Sequence, residues 1–299
     1  MQRIGVSPAF IISAATSDFL ATDYLPAIRR VADLGFSAIQ LEVFRPEAVT
    51  EWTPTLVAQV RNLLGAEDLL PTQFIAHFML HDFRSSHALS QRACLQSFQR
   101  FLDVAAALPA CPVVTIPVPP FESRSVGSPE LFADTRSALV DYLGKLLELA
   151  GGADKRLALE LMPFSILGGT EGFLRLKQEA GLGALAYNFD TGHAWARKEP
   201  VALIPFLLED ALVGTHLCDN ATNEASKLRP GAGSLEFLAL LENLAASGYQ
   251  GSLDLEILCP RAALDREYAD GRVFIESLLG APSFGRAATL ATLAERNCG

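Results

Sequence analysis

The 299-residue chain has no basic run, no Cys-x-x-Cys pair and no uninterrupted stretch fit to cross a membrane, and each absence removes a class of protein. Lys and Arg number 24 against 34 Asp and Glu, a formal net charge of −10, so nucleic acid is not the expected partner. The five cysteines (94, 111, 218, 259 and 298) are odd in number and scattered. They predict free thiols in a reducing, cytoplasmic setting rather than a disulfide framework. The opening MQRIGVSPAF lacks the basic start, apolar core and cleavage site of a signal peptide. Residues 104–121 carry no charge, but five prolines break that run into a helix end, a loop and a buried strand, so no membrane span is expected. No Pro/Gly/Ser-rich linker divides the chain, and a single domain over residues 1–299 is expected.

What is present is a rhythm. Half the residues are hydrophobic. Short β-like runs fall near 3–7, 38–43, 72–78, 112–118, 156–161, 184–190, 212–218 and 252–257. Helical stretches lie between them, one of them over 88–107, another opened by Ser128 before Pro129-Glu130 and several closed by glycines such as Gly35, Gly181 and Gly248. Eight strand–helix units in a chain of this length predict a single (β/α)8 TIM barrel. A doubly wound open sheet is the alternative. It would more often carry a Gly-rich loop after its first strand, and "IGVSPAF" has none.

Strand parity then singles out four residues. In the fifth run Leu157, Leu159 and Leu161 share one face, and Ala158 and Glu160 the other. In the sixth, Ala186, Asn188 and Asp190 oppose Leu185, Tyr187 and Phe189; in the seventh, His216 stands opposite Val213, Thr215 and Leu217. In the eighth, Ser252, Asp254 and Glu256 oppose Leu253, Leu255 and Ile257. Large apolar faces suit packing against helices, so Glu160, Asp190, His216 and Glu256 are expected to face the barrel axis at its C-terminal mouth. Gln40 and Glu42 repeat the pattern more weakly on the second run. Three carboxylates converging in a low-dielectric mouth repel one another unless a cation sits among them. With one imidazole they form a donor set for one divalent ion: Mn²⁺, Co²⁺, Mg²⁺ or Zn²⁺.

The segments LALELMP, YNFDTGHAW, GTHLCDN and GYQGSLDLEI resemble the signature strand ends of the xylose isomerase-like barrels, which include sugar phosphate isomerases and epimerases, inosose dehydratases and apurinic endonucleases. The resemblance implies that Glu160, Asp190, His216 and Glu256 bind a catalytic divalent ion. It also implies that His193, read here as the start of a loop after the Thr191-Gly192 break, contacts the substrate. KLRPGAG resembles a loop that supplies an arginine, implying a substrate contact for Arg229; a solvated loop arginine is the other reading. His77 reads as a substrate contact or as a buried histidine, and Glu42 is placed with the substrate contacts. Asp219 either orients a ligand or shapes a turn, Trp195 either stacks on a sugar or packs a loop, and Cys218 reads as a small filler. The three-metal site of the endonuclease branch cannot be completed, because VVTIPVPP has no histidine and no Asp-x-His pair follows His216. The expected activity is metal-dependent isomerisation or epimerisation of a small keto sugar or polyol, with Glu160 and Glu256 as the acid/base pair. Inosose-type dehydration at the same site, or a barrel that binds metal and sugar without turnover, are the alternatives. Self-association into a homo-oligomer stays open.

Overall fold

The computed structural model describes residues 2–281 and Phe284; Cys298 lies outside the described residues. Each β-like run becomes a strand: β1 (Ile4–Val6), β2 (Ala38–Val43), β3 (Leu70–Ala76), β4 (Val113–Val118), β5 (Arg156–Leu161), β6 (Ala186–Asp190), β7 (Leu212–His216) and β8 (Leu253–Leu255). They form one parallel sheet in the order β7-β6-β5-β4-β3-β2-β1-β8. The sheet closes on itself where β7 meets β8. Leu217 N–H donates to the Asp254 carbonyl at 2.8 Å and Glu256 N–H to the Leu217 carbonyl at 2.9 Å. The Thr215 hydroxyl laces the same seam, donating to the Ser252 carbonyl at 3.0 Å and accepting from Asp254 N–H at 3.2 Å. The fold is a single (β/α)8 barrel.

Both faces of every strand are covered, as in parallel sheets generally. The outward residues Leu157, Leu159, Tyr187, Phe189 and Leu255 are buried with Phe98, Phe101, Tyr142 and Phe173 in the main core between sheet and helices. Several helices start where side-chain caps can satisfy free N–H groups. Thr53 accepts from Leu56 N–H, and Ser128, just before Pro129, accepts from Leu131 N–H.

The inside of the barrel is unusual for this architecture, whose interior layers are ordinarily branched and apolar. Val113, Ala158 and Ala186 make a small apolar cluster there, but Gln40, Gln73, Thr115, Asn188 and Asp254 are buried as well. Buried polar groups of this kind are tolerated only when hydrogen-bonded to one another.

Three local expectations are corrected. The third strand spans 70–76 and not 72–78, so His77 opens the short turn that follows it. The helical stretch 88–107 is two helices, Ser86–Gln91 and Leu95–Ala106. They part at Arg92, whose φ of 50° is left-handed, and the Asp82 carboxylate takes up the Cys94 N–H beyond the break. The chain after β6 is not a loop but a helix, Thr191–Ala196.

Candidate functional site

Asp190 ends β6 and caps that helix: its Oδ1 accepts from the His193 backbone N–H at 2.9 Å. This cap turns the chain at Thr191-Gly192 and brings the His193 ring back over the strand ends. Its Nε2 stands 3.2 Å from Asp190 Oδ2 and 3.5 Å from Glu160 Oε1. Gly192 is required there, because a Cβ would overlap the Cys218 sulfur. Cys218 is buried, and burial pushes its thiol well above the ordinary range, as suits a filler rather than a nucleophile.

Glu160, Asp190, His216 and Glu256 each offer one ligand atom, and those atoms all lie within 4.8 Å of one another. Among the described residues this is the one such group of three or more. His216 Nδ1 is 3.3 Å from Glu160 Oε1 and 3.6 Å from Glu256 Oε1. Neither contact is aligned as a hydrogen bond, so the buried Nδ1 has no hydrogen-bond partner. An orphaned imidazole nitrogen facing two carboxylates fits a divalent cation, with one borderline nitrogen among hard oxygens.

The electrostatics fit as well. Burial works against charge on His216, but Glu160 and Glu256 outweigh it and push the imidazole up to about 10. Burial likewise opposes ionisation of Glu160 and Asp190; His216 and His193 hold Glu160 well below the carboxylate range, and His193 and Lys227 lower Asp190. Glu256 is pushed up to about 8 by burial, against the pull of Lys227.

Lys227 is the member sequence reasoning missed. Its buried ammonium donates to both Asp190 Oδ2 and Glu256 Oε2, and these partners raise it well above the lysine range despite burial. It arrives on an excursion of the chain after β7. Asp219 and Leu228 exchange backbone hydrogen bonds at 2.8 and 2.9 Å, and Lys227 adopts a left-handed φ of 50°. Arg229, the cation named from the sequence, is not brought to the cluster. Its Nε pairs with Glu267 Oε2 at 3.2 Å on the helix Leu264–Leu279, with about a third of the side chain exposed. In an extended KLRPG segment Lys227 and Arg229 would share a side, and the left-handed φ at Lys227 departs from that geometry. The "KL" pair beside the arginine was the one available signal.

The remaining candidates fall into place. The Asp219 carboxylate accepts from the N–H groups of Gly231, Gly233 and Leu235, so it shapes the turn. The Trp195 indole donates to the Thr222 carbonyl at 2.6 Å and braces the same excursion. Glu42 is buried beside the cluster with Oε2 unpartnered; burial, then the Glu160 charge, raises it well above the carboxylate range. His77 stacks on Phe44, ring centroids 4.1 Å apart and planes 12° apart, and burial lowers its imidazole to about 4. The two rings form an aromatic wall near the mouth.

Residues 28–278 match the family described as xylose isomerase-like TIM barrel. An uncharacterised protein of Methanocaldococcus jannaschii, MJ1311, is 28% identical over 137 residues, 43% of this chain; the match spans about half of that relative, 47% of its length. Solved structures share the fold at low identity. An Escherichia coli 3-keto-D-glucoside 4-epimerase superposes with a TM-score of 0.73 at 19% identity, covering 93% of this chain and 100% of the other. A D-psicose 3-epimerase in the presence of D-fructose gives 0.74 at 16% identity, covering 93% and 100%. An L-ribulose 3-epimerase gives 0.70 at 18% identity, covering 97% and 98%. With the family matched over most of its length, the chain belongs to the xylose isomerase-like TIM barrels.

Proposed function

We propose that the protein is a divalent-metal-dependent epimerase or isomerase of a small keto sugar or polyol. The observation that carries this reading is the pair of carboxylates, Glu160 and Glu256, flanking Asp190 and His216 from the two ends of the β5–β8 arc within one 4.8 Å cluster. Glu160, Asp190, His216 and Glu256 would hold the ion, which supplies Lewis-acid polarisation of a carbonyl and its neighbouring hydroxyl. One glutamate is placed to take the proton from the carbon beside the carbonyl, and the other to return a proton to the opposite face. In the reverse direction the two exchange roles. His193 and Lys227 present cationic or N–H donors toward substrate oxygens as negative charge develops there. The Phe44–His77 wall supplies an apolar face for the carbon skeleton, and Glu42 a further hydrogen-bonding group. Epimerase neighbours of the same fold support a keto sugar as substrate class.

The test is solvent exchange. Protein loaded with Mn²⁺, Co²⁺ or Zn²⁺ and incubated in D₂O with ketohexoses, ketopentoses and keto-glucosides should incorporate deuterium next to the carbonyl of the sugar it epimerises. Loss of water from a cyclic polyol ketone, with no epimer formed, would replace this reading by a dehydratase. Bound metal with no exchange from any sugar would favour a barrel that binds without turnover.

A further inference from the structure

The polar layer beneath the charged cluster is built from Gln40, Gln73, Thr115, Asn188 and Asp254, none of which belongs to the proposed ligand set. Its hydrogen bonds have a direction. One end of the Gln40 amide lies 2.8 Å from Asp254 Oδ2 and 3.5 Å from the Thr215 carbonyl. A carbonyl can only accept. Asp254 Oδ2 also receives the hydroxyls of Thr72, at 3.2 Å, and Ser252. That end of the amide must therefore be the NH₂ group, whose N–H groups find acceptors there. The other end is then the carbonyl oxygen, and it stands 2.7 Å from His216 Nε2. An amide oxygen cannot donate, so the hydrogen of this contact belongs to the imidazole. In the neutral ring that ligates a metal, a proton on Nε2 puts the lone pair on Nδ1, the atom that faces Glu160 and Glu256 without a hydrogen-bond partner.

We propose that Gln40, aligned by Asp254 and the Thr215 carbonyl, is a positioning residue that fixes the tautomer and ring orientation of His216 for metal binding through Nδ1. The inference rests on the metal-centre reading above and assigns it a mechanism of assembly. The same logic runs to a second member of the cluster. The Thr115 hydroxyl donates to Gln73 Oε1, Gln73 Nε2 to Asn188 Oδ1 at 2.7 Å, and the Asn188 amide nitrogen lies 3.5 Å from Glu160 Oε2. Oε2 is thereby engaged from below, and Oε1 is left to the cluster. Gly214 makes room for this amide pair, since a Cβ there would overlap Gln73 Nε2 and Asn188 Oδ1. A barrel interior filled with satisfied amides in place of branched aliphatics is the expected form of a shell that orients ligands.

The direct test needs no substitution. In ¹⁵N-labelled wild-type protein loaded with Zn²⁺, the His216 ring should show its proton on Nε2, and loading with ¹¹³Cd²⁺ should couple the metal to Nδ1. A ring protonated on Nδ1 overturns the proposal. Two variants add a ranking by titration calorimetry with Mn²⁺ and Zn²⁺, their folding checked by circular dichroism. Gln40→Met keeps the volume but removes the acceptor, and should weaken binding by roughly 10- to 100-fold. Gln40→Glu keeps an acceptor for Nε2–H and should bind at least tenfold more tightly than Gln40→Met, although it sets a second carboxylate beside Asp254. A role in packing alone gives the opposite order, with the apolar variant near wild type and the charged one worst. Equal affinities of wild type and Gln40→Met overturn this inference while leaving the metal centre standing. A wild type that binds no divalent ion overturns both.

Discussion

The two halves of the barrel contribute opposite chemistry to the same axis. Strands β5 to β8 carry, at or just past their ends, Glu160, Asp190, His216 and Glu256, four ionisable groups within 4.8 Å. Strands β1 to β4 send inward neutral amides and a hydroxyl, Gln40, Gln73 and Thr115, and raise only Glu42 and His77 near the rim. Charge is gathered on one arc, and hydrogen-bonding groups of fixed direction sit opposite and below. A polar substrate entering the mouth would thus meet the cation site on one side and, across it, the Phe44–His77 wall with the acid Glu42. The arc supplies reactivity, and the other half, joined by Asn188 and Asp254 from beneath the arc, supplies alignment.

The sharpest way to break that division is to exchange carboxylate for amide on each side. Glu160→Gln or Glu256→Gln should retain an oxygen for the metal but lower kcat by roughly 10²- to 10⁴-fold, the usual cost of losing a general acid or base. Glu42→Gln should change KM more than kcat. Steady-state kinetics with parallel metal analysis decides this; equal losses in kcat from Glu42→Gln and Glu256→Gln would erase the distinction between the halves.

The cations beside the arc separate next. Lys227 is buried against two carboxylates, so Lys227→Met leaves charge without a partner and should cost about 3 kcal/mol in chelator-treated protein. Arg229 is a partly exposed pair partner of Glu267, and Arg229→Met should cost under about 1 kcal/mol. Urea denaturation of both variants measures the contrast. Equal losses would contradict the placement of Lys227.

Within the stretch that joins β6 to its helix, Asp190→Asn should weaken divalent-ion binding by roughly 10- to 100-fold, while His193→Gln should keep the ion and impair substrate binding. Metal content after dialysis tells them apart. A His193→Gln protein as metal-poor as Asp190→Asn would make the histidine a ligand.

The last contrast lies on the neutral half. Burial lowers His77 from 6.5 to about 4. Between those values the unfolded chain takes up a proton that the folded chain refuses, so stability contributed at this site falls as pH drops from 6.5 toward 4. His77→Gln should flatten that part of the melting temperature profile. A variant whose acid limb matches wild type would show that His77 titrates normally.

The barrel itself was legible in the sequence because period-two apolar runs are dictated by a sheet packed on helices, and those runs lie at nearly the same positions as β1 to β8. The four cluster residues were legible for the same reason: parity on a strand fixes the side of the barrel on which a side chain lies. Lys227 and Arg229 were not, since their segment has no period and contains a left-handed residue, Lys227 itself. The helix after β6 was hidden because its stabilising contact is the Asp190 cap, and that aspartate had been read only as a ligand. Gln40 and Asp254 stood in the right parity, but amide direction is a property of the assembled network and appears in no single strand.

The seam between β7 and β8 carries a further consequence. His216 ends one bank of it and Glu256 follows the other, and between them the closure depends on two backbone hydrogen bonds at Leu217 and the Thr215 hydroxyl. A cation gripped from both banks would act as a rivet across this join in the hoop. Deuterium uptake at the amides of Leu217, Asp254 and Glu256 should slow more on adding Mn²⁺ than uptake anywhere along β2 to β4, so that loading the centre and closing the barrel become one mechanical event.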